Sequence, residues 1–263
     1  MKTLQGKVAV ITGGGTGIGR AICLKFAEEG ADVVIIARRK SKIETVAEEV
    51  CDLGVRGIPI TADVKDAGRV QEVLNIVFET FNKTDILVTS AGVMGERSLL
   101  VQTSDEGWRN TIDVNLNGVF YWVKAFAGKM IEQKSGRIIT ISSPSGKLPA
   151  SMNADYSASK YGVIGLTKAL AIELGLLGLN GITANTICPG PINTDMMSDI
   201  VERLRPLTGQ NTQEFINDTV VNRSIQKRLL EPEEVADMAL YLASDKAKSI
   251  TGQAINVCGG TVL

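Results

Sequence analysis

The chain has 263 residues, of which 44% are hydrophobic and 22% are charged, and its formal net charge is −1. This is ordinary globular composition, sufficient for one large α/β domain or two small ones. The near-neutral charge provides no basic field for nucleic acid or an anionic membrane. The absence of histidine excludes Ser-His-Asp catalysis, Cys-His catalysis and every histidine-ligated metal site.

The four cysteines are scattered along the chain at Cys23, Cys51, Cys188 and Cys258, without a C-x-x-C pair. This usage favours free, reduced, mostly buried thiols in a cytoplasmic protein, with disulfide pairing as the alternative. The sequence contains no signal-peptide core, no apolar run of about 18 residues and no clustered acidic motif for a metal. We therefore expect a cytoplasmic protein with no metal site and no membrane partner.

Short runs rich in valine and isoleucine alternate with segments of helical spacing through almost the whole chain. The predicted strands are 8-VAVIT, 32-DVVIIA, 57-GIPIT, 86-ILVTS, 137-RIITIS, 182-ITANTI and 254-AINV. They are continuously apolar, as parallel strands covered on both faces are. A late helix is expected to open at 231-EPEE-234, where proline suits the first turn and the acids suit the positive end of the helix dipole. The alternation predicts a single α/β domain over residues 1–263, with a doubly wound parallel sheet of about seven strands and helices on both faces.

The first predicted strand runs directly into 13-GGGTGIGR-20, which a helical pattern follows. Gly13, Gly17 and Gly19 have the spacing G-x-x-x-G-x-G, which differs from the G-x-G-x-x-G fingerprint in where the extra residues fall. Both spacings favour phosphate binding, because glycines permit a tight turn and the helix N-terminus presents free N–H groups to phosphate. A glycine-rich turn in this position predicts nucleotide binding.

The second predicted strand ends in 35-IIARRKSK-42, where an enzyme that prefers NAD usually carries an acid for the ribose hydroxyls. Here the neighbourhood holds Ala37, Arg38 and Arg39. Guanidinium groups bind a 2′-phosphate with charge-assisted hydrogen bonds, whereas an acid would repel it. We expect NADP(H) to be favoured over NAD(H), with Arg38 as the stronger candidate; a solvated basic turn is the alternative.

In the segment 154-ADYSASKYGVIGLTKAL-170, helical spacing places Tyr156 and Lys160 on one face. Lowering a tyrosine pKa from about 10 to about 7 requires roughly 4 kcal/mol of preference for the phenolate. A lysine charge at about 5.5 Å supplies roughly 3 kcal/mol at an effective dielectric near 20. We expect Lys160 to provide most of the shift and a further cation, such as an oxidised nicotinamide ring, to provide the remainder.

With these motifs the chain resembles the short-chain dehydrogenase/reductase family over essentially its whole length. The loop 12-TGGGTGIG-19, the pair Asp63-Val64, and the segments 113-DVNLNGVF-120, 138-IITISSPSG-146 and 188-CPGPINTDM-196 match family motifs in order. The resemblance implies that Tyr156 exchanges a proton with the substrate, that Ser143 hydrogen-bonds the substrate oxygen, that Lys160 binds ribose and favours the phenolate, and that Asn115 helps to hold a relay water. Ser142 is the alternative to Ser143, and Asn115 could instead cap or kink its helix.

The resemblance also implies a set of cofactor contacts. They are Gly13, Gly15, Thr16, Gly17, Ile18, Gly19, Arg38, Arg39, Asp63, Val64, Ser90, Ala91, Gly92, Tyr156, Lys160, Pro189, Gly190, Ile192 and Thr194. The chain departs from the family at 89-TSAG-92, where Asn-Asn-Ala-Gly is usual, and this puts the anchoring of the sheet edge in doubt. By the same resemblance, residues 1–135 form the cofactor half, residues 136–263 form the catalytic and substrate half, and residues 195–226 form a substrate lid.

The resemblance implies an oxidoreductase for a ketone or secondary alcohol, and it includes 3-oxoacyl reductases, hydroxysteroid dehydrogenases and polyol dehydrogenases. The end of the tyrosine helix, 172-IELGLLGLNG-181, carries no positive charge, which disfavours docking of a carrier protein. Burial of this apolar run at a subunit interface is one hypothesis, in agreement with the family's usual tetramers and dimers. A cofactor-sensing regulator without activity and a sugar-nucleotide epimerase are the rival functions.

Overall fold

The computed structural model describes residues 2–197, 199, 214, 222 and 224–262. Seven β-strands form one sheet, and every strand predicted from the sequence is present. They are β1 (Val8–Thr12), β2 (Asp32–Ala37), β3 (Gly57–Thr61), β4 (Ile86–Thr89), β5 (Gly136–Ile141), β6 (Ile182–Pro189) and β7 (Ala254–Val257). The doubly wound parallel sheet predicted from the alternating pattern is confirmed.

All strands are parallel, in the spatial order β3-β2-β1-β4-β5-β6-β7. The order reverses between β1 and β4, where Thr12 lies opposite Thr89. In an open α/β sheet, the crevice outside the carboxyl ends of the strands at such a reversal is where ligands bind. The topology therefore directs attention to the loops that follow β1 and β4.

Seven α-helices flank the sheet in the described part of the chain. They are α1 (Gly17–Glu28), α2 (Lys40–Asp52), α3 (Ala67–Phe81), α4 (Asp105–Ile112), α5 (Gly118–Gln133), α6 (Ala154–Leu176) and α7 (Pro232–Ala243). A π-helical turn over Asp113–Asn117 joins α4 to α5. Helix α7 begins as predicted, with Pro232 in its first turn and a capping box between Glu231 and Glu234.

Two apolar cores lie on opposite faces of the sheet because its strands are apolar on both sides. One core contains Phe26 of α1, Val46 of α2 and Val235 of α7. The other contains Val73 of α3 and Trp122 of α5, whose ring stacks on Phe126 at a centroid distance of 5.7 Å. The two layers of helices cover the faces of the sheet and leave its carboxyl edge open for a site.

Most of the predicted lid, residues 195–226, lies outside the described residues, including the apolar positions Ile200, Val201, Leu204 and Leu207. All four cysteines are free, and three of them are buried, as the sequence predicts; Cys51 is exposed. Across the described ranges, no helix combines the length and apolar character needed to cross a bilayer.

Candidate active site

The glycine loop after β1 is packed so closely that side chains are excluded at two positions. A Cβ on Gly13 would lie 2.7 Å from the Ala91 nitrogen, and a Cβ on Gly19 would lie 2.2 Å from the Gly13 oxygen. Thr16 precedes α1 without a side-chain cap, and the first turn of α1 carries no acid. The free N–H groups of this helix end are thus left for an anion.

An outer cavity of about 440 Å³ opens in front of this loop and collects most of the predicted cofactor residues. Its lining includes Gly13, Gly15, Thr16, Gly17, Ile18, Gly19, Arg38, Arg39, Asp63, Val64, Ser90, Ala91, Gly92 and Thr194. These residues come from the carboxyl ends of β1, β2, β3, β4 and β6. The parallel sheet brings them together because those ends share one edge.

The basic end of the outer cavity contains one more cation than the sequence analysis singled out. Arg38 and Arg39 follow β2 and are exposed at the cavity, and the Arg39 Nη2 atom lies 3.4 Å from the Thr16 hydroxyl oxygen. Lys42, in the first turn of α2, also lines the cavity. No acid follows β2 here, so this end is chemically suited to a phosphate.

An inner cavity of about 300 Å³ adjoins the outer one and contains the predicted catalytic pair. Tyr156 and Lys160 lie on one face of α6, with the Lys160 Nζ atom 5.5 Å from the centre of the Tyr156 ring. Both side chains are buried, and Nζ donates a hydrogen bond of 3.0 Å to the Ile141 carbonyl at the end of β5. The hydrogen bond therefore fixes the Lys160 ammonium group to the end of β5, beside the tyrosine ring.

The electrostatics of this pair correct the expectation that Lys160 provides most of the lowering of the Tyr156 pKa, with a bound oxidised nicotinamide providing the remainder. Burial raises the pKa of Tyr156 above its ordinary value, while a hydrogen bond with Ser143 and the charge of Arg97 offset only part of the rise. Burial also lowers the pKa of Lys160 to about 8. The prediction omitted the desolvation of both charged forms, which is the larger effect here. Tyr156 is thus a proton donor in this chain as it stands.

The two candidate serines have separate partners. Ser142 donates its hydroxyl to the Lys160 carbonyl at 2.9 Å and so joins β5 to α6. Ser143 lines the inner cavity beside Tyr156 and lowers the pKa of the tyrosine hydroxyl, and the Ser143 hydroxyl oxygen accepts from the Ser145 N–H at 3.2 Å. Of the two serines, Ser143 is therefore the one that acts on the tyrosine.

Asn115 lies on the π-helical turn and lines neither cavity. Its Oδ1 atom accepts from the Val93 N–H at 2.8 Å, and its Nδ2 atom donates to the Val93 carbonyl at 2.9 Å and to the Ser159 hydroxyl at 3.2 Å. Its side chain fixes the loop after β4 to helix α6. A role in holding a relay water stays a prediction.

The turn after β6 joins the two cavities. The Gly190 N–H donates to the Val257 carbonyl at 2.8 Å, and Ile192 forms an isolated parallel bridge with Leu230. Pro189, Gly190 and Ile192 line the inner cavity, and Thr194 lines both. The Thr194 methyl group lies beside Gly17, where a Cβ would be 3.2 Å away. The turn therefore closes against the glycine loop.

The departure 89-TSAG-92 changes the hydrogen bonding at the reversal of the sheet. The Thr12 hydroxyl oxygen accepts from the N–H groups of Ser90 and Ala91, at 3.2 and 3.3 Å. The Thr89 hydroxyl is buried and has no partner among the described residues. The loop is thus anchored through its backbone, and one buried hydroxyl is left unsatisfied.

Comparison with known proteins identifies the family. The family model described as short chain dehydrogenase matches residues 7–205. The chain is a short-chain dehydrogenase. A 3-oxoacyl-(acyl-carrier-protein) reductase of Staphylococcus epidermidis is 38% identical over 255 residues, covering 97% of this chain and 98% of the relative.

Two solved structures resemble this short-chain dehydrogenase over nearly their whole lengths. A variant of actinorhodin polyketide ketoreductase with NADPH superposes with a TM-score of 0.91 at 36% identity, covering 99% of each chain. Levodione reductase superposes with a TM-score of 0.92 at 28% identity, covering 98% of each chain. The protein is accordingly an NAD(P)-dependent oxidoreductase that acts on CH–OH and C=O groups.

The site contains two functional candidates that the sequence analysis did not name. Lys42 belongs to the basic segment 35-IIARRKSK-42, so its positive charge could have identified it as a further phosphate-binding candidate. Arg97 lines the inner cavity from the loop after β4 and acts on the Tyr156 pKa. No spacing rule relates Arg97 to the helix of Tyr156, so only the fold brings the two residues together.

The residues present fit a nicotinamide dinucleotide. The uncapped start of α1 and the closely packed glycines suit a pyrophosphate, and the outer cavity continues past Asp63 and Val64 on one side. On the other side, it shares its wall with the inner cavity at Ile18 and Thr194. A dinucleotide in this position would reach from the basic end to the catalytic tyrosine.

Proposed function

We propose that the protein reduces a ketone to a secondary alcohol with NADPH as its preferred cofactor. The observation that carries the proposal is the inner cavity, where a buried proton-donor tyrosine, its serine partner and a buried lysine adjoin a dinucleotide-shaped cavity. The names of its relatives, a 3-oxoacyl reductase and a polyketide ketoreductase, support a ketone as the substrate. Polyol and hydroxysteroid substrates are the alternatives within the same chemistry.

The chain's own residues provide the proton and the binding of the oxygen. The Tyr156 hydroxyl donates its proton to the carbonyl oxygen, and the raised pKa keeps that proton available at neutral pH. The Ser143 hydroxyl donates a hydrogen bond to the same oxygen and stabilises its developing charge. Lys160, held by the Ile141 carbonyl, stabilises the phenolate left after transfer. When bound, the nicotinamide cofactor supplies the hydride to the carbonyl carbon.

The preference for NADPH is supported by charge at one end of the outer cavity. Arg38, Arg39 and Lys42 line this end, and no acid stands at the end of β2 where ribose hydroxyls would be bound. Guanidinium and ammonium groups favour a phosphate at that position. The remaining cofactor contacts are assigned to the loop and turn residues given above for the two cavities.

A homotetramer or homodimer is proposed from the outer face of α6. Exposed apolar or small residues recur there every three or four positions, at Ala158, Tyr161, Gly165, Ala169, Ile172 and Leu176. A Cβ on Gly165 would meet nothing within 4 Å in the same chain, so this position is open to a neighbouring helix. The apolar end of the helix continues this face, with Leu176 and Leu177 exposed.

The division of labour along the chain and its location are also proposals. Residues 1–135 supply most of the outer cavity and residues 136–263 supply the catalytic side chains, which supports the predicted halves of one domain. The four unpaired cysteines support a cytoplasmic location.

The proposal is tested with oxoacyl thioesters, keto-steroids and keto-sugars, following NADPH absorbance. Tyr156→Phe is expected to lower kcat by about 10²- to 10⁴-fold, since the proton donor is lost, while NADPH still binds. Tyr241→Phe, an exposed tyrosine on α7, is the matched control and should retain full turnover. Unchanged activity in Tyr156→Phe would refute the mechanism. NADPH binding without turnover of any substrate would favour a regulator.

A further inference from the structure

The inner cavity contains a cation that the proton transfer does not use. Its walls are largely apolar, with Val93, Met94, Ala150 and Met197 among them, and no acidic side chain of the described residues lines it. Among the described lining residues, Arg97 is the one besides Lys160 that carries a positive charge. A guanidinium in such surroundings is poorly solvated, and burial lowers the pKa of Arg97 below its ordinary value.

Arg97 lies in a strained part of the loop after β4 that is tied to the catalytic helix. Its φ angle of 58° lies in the left-handed region, which residues other than glycine seldom adopt. The preceding residue is tied to α6, since the Glu96 N–H donates to the Asp155 carboxylate at 3.3 Å. Asp155 directly precedes Tyr156, and the charge of Arg97 acts on the Tyr156 hydroxyl. Backbone strain of this kind is maintained where the surrounding structure enforces it.

The charge of Asp155 acts on Arg97 and raises its pKa against the larger effect of burial, but the carboxylates of Asp155 and Glu96 both make their hydrogen bonds to other groups. The Asp155 carboxylate accepts from the Thr111 hydroxyl at 2.9 Å and from the Tyr156 N–H at 2.7 Å, besides the Glu96 N–H. The Glu96 carboxylate accepts from the Ser104 N–H and hydroxyl, at 2.8 and 2.6 Å. Among the described residues, no carboxylate forms an ion pair with Arg97, and its buried Nε atom has no hydrogen-bond partner.

We infer that Arg97 is a specificity-determining residue that binds a carboxylate of the substrate beside the reacting carbonyl, so that the substrates are oxo acids and the corresponding hydroxy acids. The inference rests on the proposed function and narrows its substrate class. A planar carboxylate matches the fork of a guanidinium and would satisfy the Nε donor. It would also pair with a half-buried charge that the nearby Asp155 carboxylate acts on only at a distance, without an ion pair. Arg97, Tyr156 and Ser143 line the same cavity, so one substrate could meet Arg97 through its carboxylate and the other two through its ketone oxygen.

The test uses matched pairs in which only the charge differs. The probes are 3-oxobutanoate, 4-oxopentanoate and 5-oxohexanoate, each beside its methyl ester, assayed with NADPH for kcat and KM. We expect the wild-type protein to prefer one acid over its ester by about ten- to hundredfold in kcat/KM, as a charged hydrogen bond would give. The three chain lengths determine which separation of carboxylate and carbonyl fits the cavity.

Substitution then assigns this preference to Arg97. Arg97→Gln is expected to raise KM for the preferred acid about ten- to hundredfold and to leave the ratio of acid to ester near one, while Arg97→Lys restores part of the preference. Any effect of Arg97 on the Tyr156 proton acts on acid and ester alike, so the ratio isolates the contact with the carboxylate. Arg109→Gln, an exposed arginine on α4, is the control for loss of one charge.

A binding measurement keeps the inference testable without turnover. Calorimetric titration of the same oxo acids into the NADP⁺-loaded protein should show affinity that Arg97→Gln weakens about ten- to hundredfold. Equal use of acid and ester by the wild-type protein, or an equal loss for both in Arg97→Gln, would overturn the inference and leave ketone reduction standing. If no probe is bound or reduced but other ketones are reduced, the carboxylate assignment fails alone. If no ketone at all is reduced, the proposed function fails as well.

Discussion

Lys160 combines two properties that oppose one another at the scale of a single residue. Its ammonium group is buried and makes one hydrogen bond to a backbone carbonyl, and burial lowers its pKa to about 8. Below that pH the folded chain holds a positive charge in surroundings that disfavour it. Keeping a positive charge beside Tyr156 therefore lowers the stability of the fold.

Replacing Lys160 should therefore stabilise the fold while it abolishes activity. We expect Lys160→Met to raise the free energy of unfolding at pH 7 by roughly 1–3 kcal/mol, measured by urea titration, because the buried charge is removed. Lys168→Met, an exposed lysine on the same helix, is the control and should change it little. Destabilisation by Lys160→Met would show that the hydrogen bond to Ile141 outweighs the cost of burial.

The same pKa predicts how stability and activity respond to pH. Unfolded, Lys160 titrates near 10.5, so between about pH 8 and 10.5 the unfolded chain binds more protons than the folded chain. The contribution of Lys160 to stability therefore rises with pH in that window and is constant below it. We expect kcat/KM for ketone reduction to fall above about pH 8, where the ammonium group loses its proton. A flat profile to pH 10 would contradict this.

Arg38 is expected to determine the cofactor preference. Arg38→Gln should lower kcat/KM for NADPH by about ten- to hundredfold, because a charged hydrogen bond to the 2′-phosphate is lost, and should leave the value for NADH nearly unchanged. Arg109→Gln is again the control for charge. An equal loss with both cofactors would show that Arg38 supports the loop and does not recognise the phosphate.

At the scale of elements, strands β1 and β4 end in two neighbouring threonines, and only the threonine of β1 hydrogen-bonds the loop after β4. Thr12 and Thr89 are paired in register and both are buried. The Thr12 hydroxyl accepts from two N–H groups of the next loop, whereas the Thr89 hydroxyl has no partner among the described residues. The Thr12 hydroxyl therefore reinforces the backbone hydrogen bond from the Ser90 N–H to the Thr12 carbonyl, at 3.2 Å, in holding the loop after β4 to the end of β1.

This pair of threonines provides a matched test. Thr89→Val should stabilise the protein by about 1 kcal/mol, because it removes a buried unsatisfied hydroxyl at almost constant shape. Thr12→Val should destabilise it by about 1 kcal/mol, because the half-buried Ala91 N–H loses its acceptor, whereas the Ser90 N–H keeps the Thr12 carbonyl. Urea unfolding of both variants measures the difference. Equal effects of the two substitutions would contradict the assigned hydrogen bonds.

The strands and helix α7 could be predicted from the sequence, whereas the geometry and electrostatics of the site could be predicted only in part. All seven strands follow from apolar runs of the right length, and helix α7 follows from Glu231, Pro232 and Glu234, because these signals are local. The pKa of Tyr156 could not be predicted from its spacing to Lys160, because burial depends on what the fold places around the ring. Arg97 was missed for the same reason, since it lies 59 residues from Tyr156 along the chain.

At the scale of the whole molecule, the apolar face of α6 predicts self-association. We expect the wild-type protein to form a dimer or tetramer in solution, and Ile172→Asp to shift it to smaller species, because a charge would be buried at the contact. Light scattering after size-exclusion chromatography measures the mass. Gln71→Asp, on the exposed surface of α3, is the control. A wild-type monomer would refute the assembly and leave the active site intact.

The wall shared by the two cavities has a consequence for the order of events in turnover. Ile18, Gly92, Thr194 and Met196 belong to both cavities, so what fills the outer one forms part of the floor of the inner one. A substrate that binds before the dinucleotide would find one side of the inner cavity open and would make few contacts there. The geometry therefore favours a compulsory sequence in which the dinucleotide enters first and leaves last. In product-inhibition experiments, the oxidised dinucleotide would then compete with the reduced dinucleotide, whereas the alcohol product would compete with neither the reduced dinucleotide nor the ketone.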